Sequence, residues 1–145
     1  MNINYGSCVI LPTGRPSWEI IAISRRNNPT QWGIPGGKQE PNETAIDCAI
    51  REVREELGIV LQSKDLVPLH VGPCYGKDGR DFWVTCFLAL DTFSGIYESP
   101  EEGMYVKPTT YTEITNPGQS PFAKYNFYAI SAWQQLSRLS QPRIY

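Results

Sequence analysis

The sequence predicts an α/β protein with a mixed β-sheet and helices packed on it, and three observations carry that prediction. Apolar, β-branched segments at 8–11 and 18–24 indicate two strands before the first helix. Residues 45–57 show apolar side chains at helical spacing. A long aromatic and apolar run at 82–90 indicates a further strand beyond that helix, so strands are expected on both sides of it.

The two early strands are separated by residues 12–16, which contain two prolines and a glycine. These residues predict a turn, so the two strands are expected to form a hairpin. The following stretch, 25–37, ends in a proline and two consecutive glycines, which excludes helix and predicts a shaped loop.

The first helix carries both the signal that begins a helix and the signal that ends one. Thr44 is the expected N-cap, with Asp47 three residues further on, as in a capping box. Gly58 stands where a helix over 45–57 requires its C′ glycine.

The later part of the chain is expected to contain short strands and one long helix. Segment 66–71 and segment 104–107 are predicted strands, and 77–80 contains an Asp-Gly turn. Apolar residues recur at positions 123, 127, 130, 133 and 136, which predicts a helix within 122–139.

The composition describes an ordinary folded domain. The chain has 145 residues, a formal charge of −2 and 41% hydrophobic residues, which fits one domain over 1–145. Its longest nearly apolar run, 83–90, is far shorter than the roughly 20 residues of a membrane span. The opening residues lack a basic stretch followed by an apolar one, so a cytoplasmic protein is expected. Nucleic acid is not an expected partner, since that binding depends on clustered Lys and Arg.

The cysteine and histidine content argues against several kinds of site. Cys8, Cys48, Cys74 and Cys86 form no Cys-x-x-Cys pair, so neither a zinc knuckle nor a redox dithiol is expected. We expect reduced, mostly buried thiols. The one histidine, His70, ends an apolar run and is expected to be structural.

The helix over 45–57 has an apolar face and a carboxylate face. At about 100° per residue, Glu52, Glu55 and Glu56 fall within one arc, opposite the apolar residues. Like charges at this spacing repel one another, and hard divalent cations such as Mg²⁺ are well matched to such oxygens. The alternative is a solvated acidic face with ion pairs to Arg51 and Arg54.

The stretch 37–59 resembles the Nudix box at every fixed position. The matching residues are Gly37, Glu43, Arg51, Glu52, Val53, Glu55, Glu56, Gly58 and Ile59. The preceding residues, 32–37, resemble the usual lead-in to this motif, and two predicted strands come before them. The chain is therefore identified as a member of the Nudix hydrolase family, and the resemblance implies an α/β/α sandwich.

The resemblance also implies roles for the motif residues. Glu55 and Glu56 would be metal ligands, and Glu52 a ligand or the base that activates water, so these three are the expected catalytic residues. The backbone carbonyl of Gly36 would be a further ligand for Mg²⁺ or Mn²⁺. Four other motif residues would be structural, with the first two bracing the loop and helix: Glu43, Arg51, Gly37 and Gly58.

Residues outside the motif are expected to complete the site. Family members often add a carboxylate from a later loop, and here Glu101 and Glu102 are the two candidates. We expect Glu102 to be a metal ligand and Glu101 to lie on the substrate side, although the sequence does not decide between them. The basic residues Arg25, Arg26 and Lys38 are expected to bind substrate, and four aromatic residues could stack on a base: Phe82, Trp83, Tyr105 and Tyr125.

The expected function is metal-dependent hydrolysis of a small nucleotide, with a (d)NTP cleaved to a nucleoside monophosphate and pyrophosphate as the leading case. ADP-ribose, a nucleotide sugar or a dinucleoside polyphosphate is the alternative substrate. In related enzymes, a Pro past the motif is associated with ADP-ribose and a Tyr with dinucleoside polyphosphates, and this chain has both, as Pro73 and Tyr75. A non-catalytic nucleotide sensor is a third alternative. The sequence leaves the oligomeric state open between monomer and homodimer.

Overall fold

The computed structural model of the chain describes residues 4–75 and 81–139. Its elements follow in the order β1 (Asn4–Ile10), β2 (Ile20–Arg25), β3 (Asn28–Gly33), β4 (Gly36–Lys38), α1 (Ala45–Leu57), β5 (Leu66–Tyr75), β6 (Asp81–Ala89), β7 (Val106–Thr109), α2 (Tyr111–Ile114) and α3 (Ala123–Leu139). A single 3₁₀ turn, Ser63–Asp65, precedes β5. The predicted Asp-Gly turn at 77–80 lies outside the described residues. None of the helices in the described ranges is long and apolar enough to cross a membrane.

Two sheets form the centre of the structure. The first has the strand order β4-β1-β6-β5, in which β1 runs parallel to β6 and antiparallel to β4. The second has the order β3-β2-β7 and is antiparallel throughout. The prediction of a mixed sheet is therefore confirmed.

The predicted hairpin between the first two strands forms only at their adjoining ends. Strands β1 and β2 belong to different sheets, but Pro12 and Ile20 form an antiparallel bridge between them. The Ile21 amide donates to the Leu11 carbonyl at 3.0 Å, and the Thr13 amide donates to the Glu19 carbonyl at 3.1 Å. The hairpin partner of β2 is β3, which lies in the stretch predicted to be loop. Asn27, with φ of 55°, occupies the tight turn between them, because asparagine tolerates the left-handed region.

The helix predicted over 45–57 is confirmed with the same bounds. The Thr44 side chain accepts a hydrogen bond from the Asp47 amide at 3.2 Å, and Gly58 ends the helix with φ of 70°. The last helix is also confirmed, over Ala123–Leu139, but not all of the apolar residues that predict it are buried. Phe127 and Leu136 are exposed, and Asn126 is buried instead.

The core has two clusters on opposite sides of the four-stranded sheet. Side chains alternate along β1, so that Cys8 and Ile10 face one cluster and Val9 faces the other. The cluster with Val9 packs under α1, and the cluster with Ile10 packs against α3. Helices therefore cover both sides, which confirms the α/β/α sandwich.

Candidate active site

The short strand β4 brings the glycines against both β1 and α1. Gly36 pairs with Cys8 and Gly37 with Ser7. A Cβ atom on Gly36 would overlap the Ser7 carbonyl oxygen, and one on Gly37 would overlap the Glu52 carboxylate. Only glycine therefore permits this close approach.

Glu56 lies at the inner end of the acidic face of α1. It is 7% exposed, and its Oε1 accepts a hydrogen bond from the Gly36 amide at 2.7 Å. The pKa of Glu56 is raised to about 8, chiefly by burial; the hydrogen bond from Gly36 opposes this shift, and the negative charges of Glu52, Glu101 and Glu55 add to it. A buried carboxylate surrounded by like charges favours a bound cation or proton.

Glu52 and Glu55 extend this acidic face toward solvent. Burial raises the pKa of Glu52, and the charges of Glu55 and Glu101 act in the same direction. The Arg51 guanidinium opposes that shift, since its Nη1 donates to Glu52 Oε1 at 2.9 Å. The same Nη1 lies 3.2 Å from Glu55 Oε2, and the Glu55 side chain is 45% exposed.

Arg51 also joins the helix to the segment before it. Its Nε and Nη2 donate to the two carboxylate oxygens of Glu43 at 2.7 and 2.9 Å, and Nη2 donates to the Lys38 carbonyl at 2.9 Å. These bonds lower the pKa of Glu43 to about 2 and raise the pKa of Arg51. Arg51 and Glu43 thus hold the end of β4 against α1.

The two later acidic residues are placed differently. The Glu101 charge is close enough to raise the pKa values of Glu52 and Glu56. The Glu102 side chain is exposed, and its backbone carbonyl accepts a hydrogen bond from Arg26 Nη1 at 2.7 Å. Of the two, Glu101 is therefore the residue whose charge reaches the acidic face.

The three predicted basic residues also separate into two groups. Arg25 lies over the Phe122 ring at 5.5 Å and Lys38 over the Phe82 ring at 5.9 Å. Both line a cavity of about 240 Å³ that is also bounded by Gly36 and Gly37. Arg26 is directed instead to the loop that carries Glu101.

The far side of this cavity is formed by α3. Tyr125 lines it and donates its hydroxyl to the Val84 carbonyl at 2.9 Å. Of the four predicted stacking residues, Phe82 and Tyr125 line the cavity, whereas Trp83 and Tyr105 are largely exposed and do not.

Sequence reasoning missed Asn126, which also lines the cavity and is 2% exposed. Its Nδ2 donates to the Ile114 carbonyl at 2.9 Å and to Ser120 Oγ at 3.0 Å. Its Oδ1 has no hydrogen-bond donor among the residues that the structure describes. The sequence does contain a signal for the burial of Asn126. It lies three positions after Ala123 and four before Ile130, so helical spacing places all three on the face that packs inward.

The chain matches the model of a known protein family. The model described as the NUDIX domain matches residues 5–129, which is most of the chain. The chain belongs to the Nudix family.

Nudix relatives agree in fold and differ in name. An ADP-ribose pyrophosphatase from Methanocaldococcus jannaschii is 32% identical over 100 residues, which cover 68% of this chain. The chain spans little more than half of that relative, 56% of its length. The solution structure of the E. coli ORF135 protein has a TM-score of 0.70 at 20% identity and covers 99% of this chain and 96% of that one. A MutT Nudix hydrolase from Burkholderia pseudomallei has a TM-score of 0.67 at 23% identity, with 88% and 98% covered.

Nudix hydrolases generally use a divalent metal, and the donor set here fits one in chemistry. Glu52, Glu55, Glu56 and Glu101 offer carboxylate oxygens, the ligands that Mg²⁺ prefers, and their mutual repulsion is relieved by a cation. Within residues 4–75 and 81–139, however, no three acidic, His or Cys side chains are already gathered as a closed metal site. Arg51 holds two of these carboxylates, so metal binding requires their side chains to turn toward the ion.

Proposed function

We propose that this Nudix protein hydrolyses a phosphoanhydride bond in a small nucleoside diphosphate-linked substrate with the help of Mg²⁺ or Mn²⁺. One observation carries the proposal: the acidic face of α1 and the cavity lined by Phe82 and Phe122 meet at β4. Gly36 bonds to Glu56, Gly37 lies against Glu52, and both glycines border the cavity.

This arrangement suits a ligand with a ring at one end and phosphates at the other. A nucleoside held in the cavity would direct its phosphates across β4 toward the carboxylates. Arg25 and Lys38 line the cavity and supply positive charge for those phosphates. Asn126 Oδ1, which accepts no hydrogen bond from the residues that the structure describes, could accept one from an amino group of the base.

The residues proposed to hold the metal are Glu55, Glu56 and the Gly36 carbonyl, with Glu52 and Glu101 beside them. When bound, such an ion neutralises phosphate charge and lowers the pKa of coordinated water. Water attacks phosphorus, the bridging P–O bond breaks, and the water proton must pass to a base. Glu52 is our candidate for that base, because it is half-buried and its pKa lies above the ordinary value.

The leading substrate is a (d)NTP cleaved to a nucleoside monophosphate and pyrophosphate. The cavity of about 240 Å³ is bounded by the aromatic residues Phe82, Phe122 and Tyr125, which suit the ring of a base. ADP-ribose is the second candidate, and the name of the M. jannaschii relative favours it.

The test is a product assay with each metal on unmodified and oxidised (d)NTPs, ADP-ribose, nucleotide sugars and dinucleoside polyphosphates. Glu56→Gln removes a proposed ligand and should lower turnover by at least about 10³-fold, in line with the loss of a central catalytic group. Asp47→Asn is the matched control, because Asp47 is an exposed carboxylate on the first turn of the same helix.

A nucleotide sensor without turnover is the competing function. It would show ligand-induced thermal stabilisation and no product with any substrate in either metal. Turnover that survives Glu56→Gln would instead contradict the metal site proposed here.

A further inference from the structure

We propose that Arg26 is a positioning residue that holds Glu101 beside the acidic face of α1, instead of a residue that contacts the substrate. The inference rests on the proposed function, since it assigns Glu101 to the proposed metal site. It also departs from the sequence-based expectation that Arg25 and Arg26 share one role.

The two arginines are neighbours in sequence but make different contacts, because Arg25 is the last residue of β2 and Arg26 begins the turn that follows. Arg25 lies over Phe122 and lines the cavity. Arg26 donates from Nη1 to the Glu102 carbonyl at 2.7 Å and from Nη2 to Glu101 Oε2 at 3.3 Å. One guanidinium therefore fixes both the backbone of the loop and the carboxylate that it carries.

The backbone of this loop is attached to the same turn. The Asn27 amide donates to the Gly103 carbonyl at 2.7 Å, and the Ser24 amide donates to the Tyr105 carbonyl at 2.9 Å. Gly103 has φ of 80°, and a Cβ atom there would overlap Asn27 Oδ1. The path of the loop is thus set by β2, and Arg26 adds control over the direction of one side chain.

The stability of the fold does not explain the ion pair between Arg26 and Glu101. The Arg26 side chain is 60% exposed, and the Glu101 side chain is 32% exposed. An exposed pair of this kind contributes little to folding. The Glu101 carboxylate, however, is repelled by the carboxylates of the acidic face of α1. The Arg26 guanidinium opposes this repulsion with its positive charge and fixes the direction of the Glu101 side chain through its hydrogen bond.

The experiment measures Mn²⁺ dissociation constants without substrate for the whole chain, for Arg26→Ala, for Glu101→Gln and for the double variant. If Arg26 positions Glu101, each single variant weakens Mn²⁺ binding by about 10-fold, as is typical for a residue that orients a ligand, and the double variant weakens it no further. If Arg26 acted only through its charge, Arg26→Ala would have the opposite effect, since removing a positive charge near a cation site strengthens Mn²⁺ binding.

Kinetics provide a second readout. Arg26→Ala should lower kcat and leave KM for the nucleotide nearly unchanged, whereas loss of a substrate contact would raise KM. Arg26→Lys should restore only part of the activity, because one ammonium cannot copy the forked donors. Arg54→Ala is the control, since it removes one positive charge from an exposed position on α1 outside the site.

The outcomes separate the two proposals. Unchanged or tighter Mn²⁺ binding in Arg26→Ala, with binding intact in the unmodified chain, would overturn the role given to Arg26 and leave the proposed function standing. Failure of the unmodified chain to bind Mn²⁺ would overturn the proposed function and this inference together.

Discussion

Arg51 binds Glu43 through two guanidinium nitrogens, with Nε 2.7 Å from Oε2 and Nη2 2.9 Å from Oε1. Such a fork-to-fork pair fixes direction as well as distance. Because Arg51 also contacts Glu52 and the Lys38 carbonyl, the pair connects the segment before α1 to the proposed catalytic face.

Replacing Arg51 should therefore affect both stability and activity. We expect Arg51→Ala to lower the urea midpoint and kcat together, because Glu43 loses its partner and Glu52 loses its orientation. Arg51→Lys should recover little, since an ammonium cannot form the bidentate contact. Arg54→Ala measured in the same way should show neither effect, and equal losses in both variants would refute the role assigned to Arg51.

Glu43 should make the protein sensitive to acid. Its pKa is about 2 in the folded chain, below the ordinary value of 4.5, so the folded state binds fewer protons between these values. The stabilisation is therefore present above about pH 4.5 and lost as the pH falls toward 2. Unfolding free energies from about pH 6 downward should converge for the unmodified chain and Glu43→Gln. A constant difference between them would show that the pair does not titrate as described.

The charge on Glu56 should determine how metal removal changes the melting temperature. At pH 9, above its pKa of about 8, the buried carboxylate is charged and destabilises the metal-free fold. Glu56→Gln keeps an acceptor for the Gly36 amide without the charge, so its melting temperature in EDTA should exceed that of the unmodified chain. Mg²⁺ should raise the melting temperature of the unmodified chain only. A similar rise in Glu56→Gln would place the ion elsewhere.

Two glycines of the same motif should respond differently to alanine. Gly37→Ala places a Cβ where the Glu52 carboxylate lies, so kcat should fall by roughly 10²-fold, as expected for a misplaced catalytic group. Gly58→Ala meets no atom within 4 Å but must adopt φ of 70°, so it should cost about 1 kcal/mol in unfolding free energy and leave kcat intact. Comparison of kcat with urea unfolding for the two variants checks this. The reverse pattern would contradict the geometry described.

The part of the fold that the sequence predicts best is α1, because its signals are local. Thr44 and Gly58 act on the backbone within a few residues, and the carboxylate face follows from helical spacing alone.

The missed features depend on contacts between distant segments. Strand β3 has the polar sequence NPTQWG, without apolar alternation, and it becomes a strand because β2 offers it a hydrogen-bonding edge. Which face of α3 is buried depends on Ile114 and Ser120. Their oxygens accept hydrogen bonds from the Asn126 side chain, and this makes the burial of Asn126 possible. The contact between Arg26 and Glu101 likewise joins residues 75 positions apart in sequence, so no local pattern predicts it.

The parallel pairing of β1 with β6 has a consequence for how the chain folds. Asn4 lies opposite Phe82 and Ile10 opposite Leu88, so the central pair joins segments at the two ends of a long loop. Closing that loop costs chain entropy before any contact rewards it, which slows folding. During synthesis, β6 emerges only after the whole segment between Ile10 and Phe82, so β1 can pair with β4 long before its parallel partner is available.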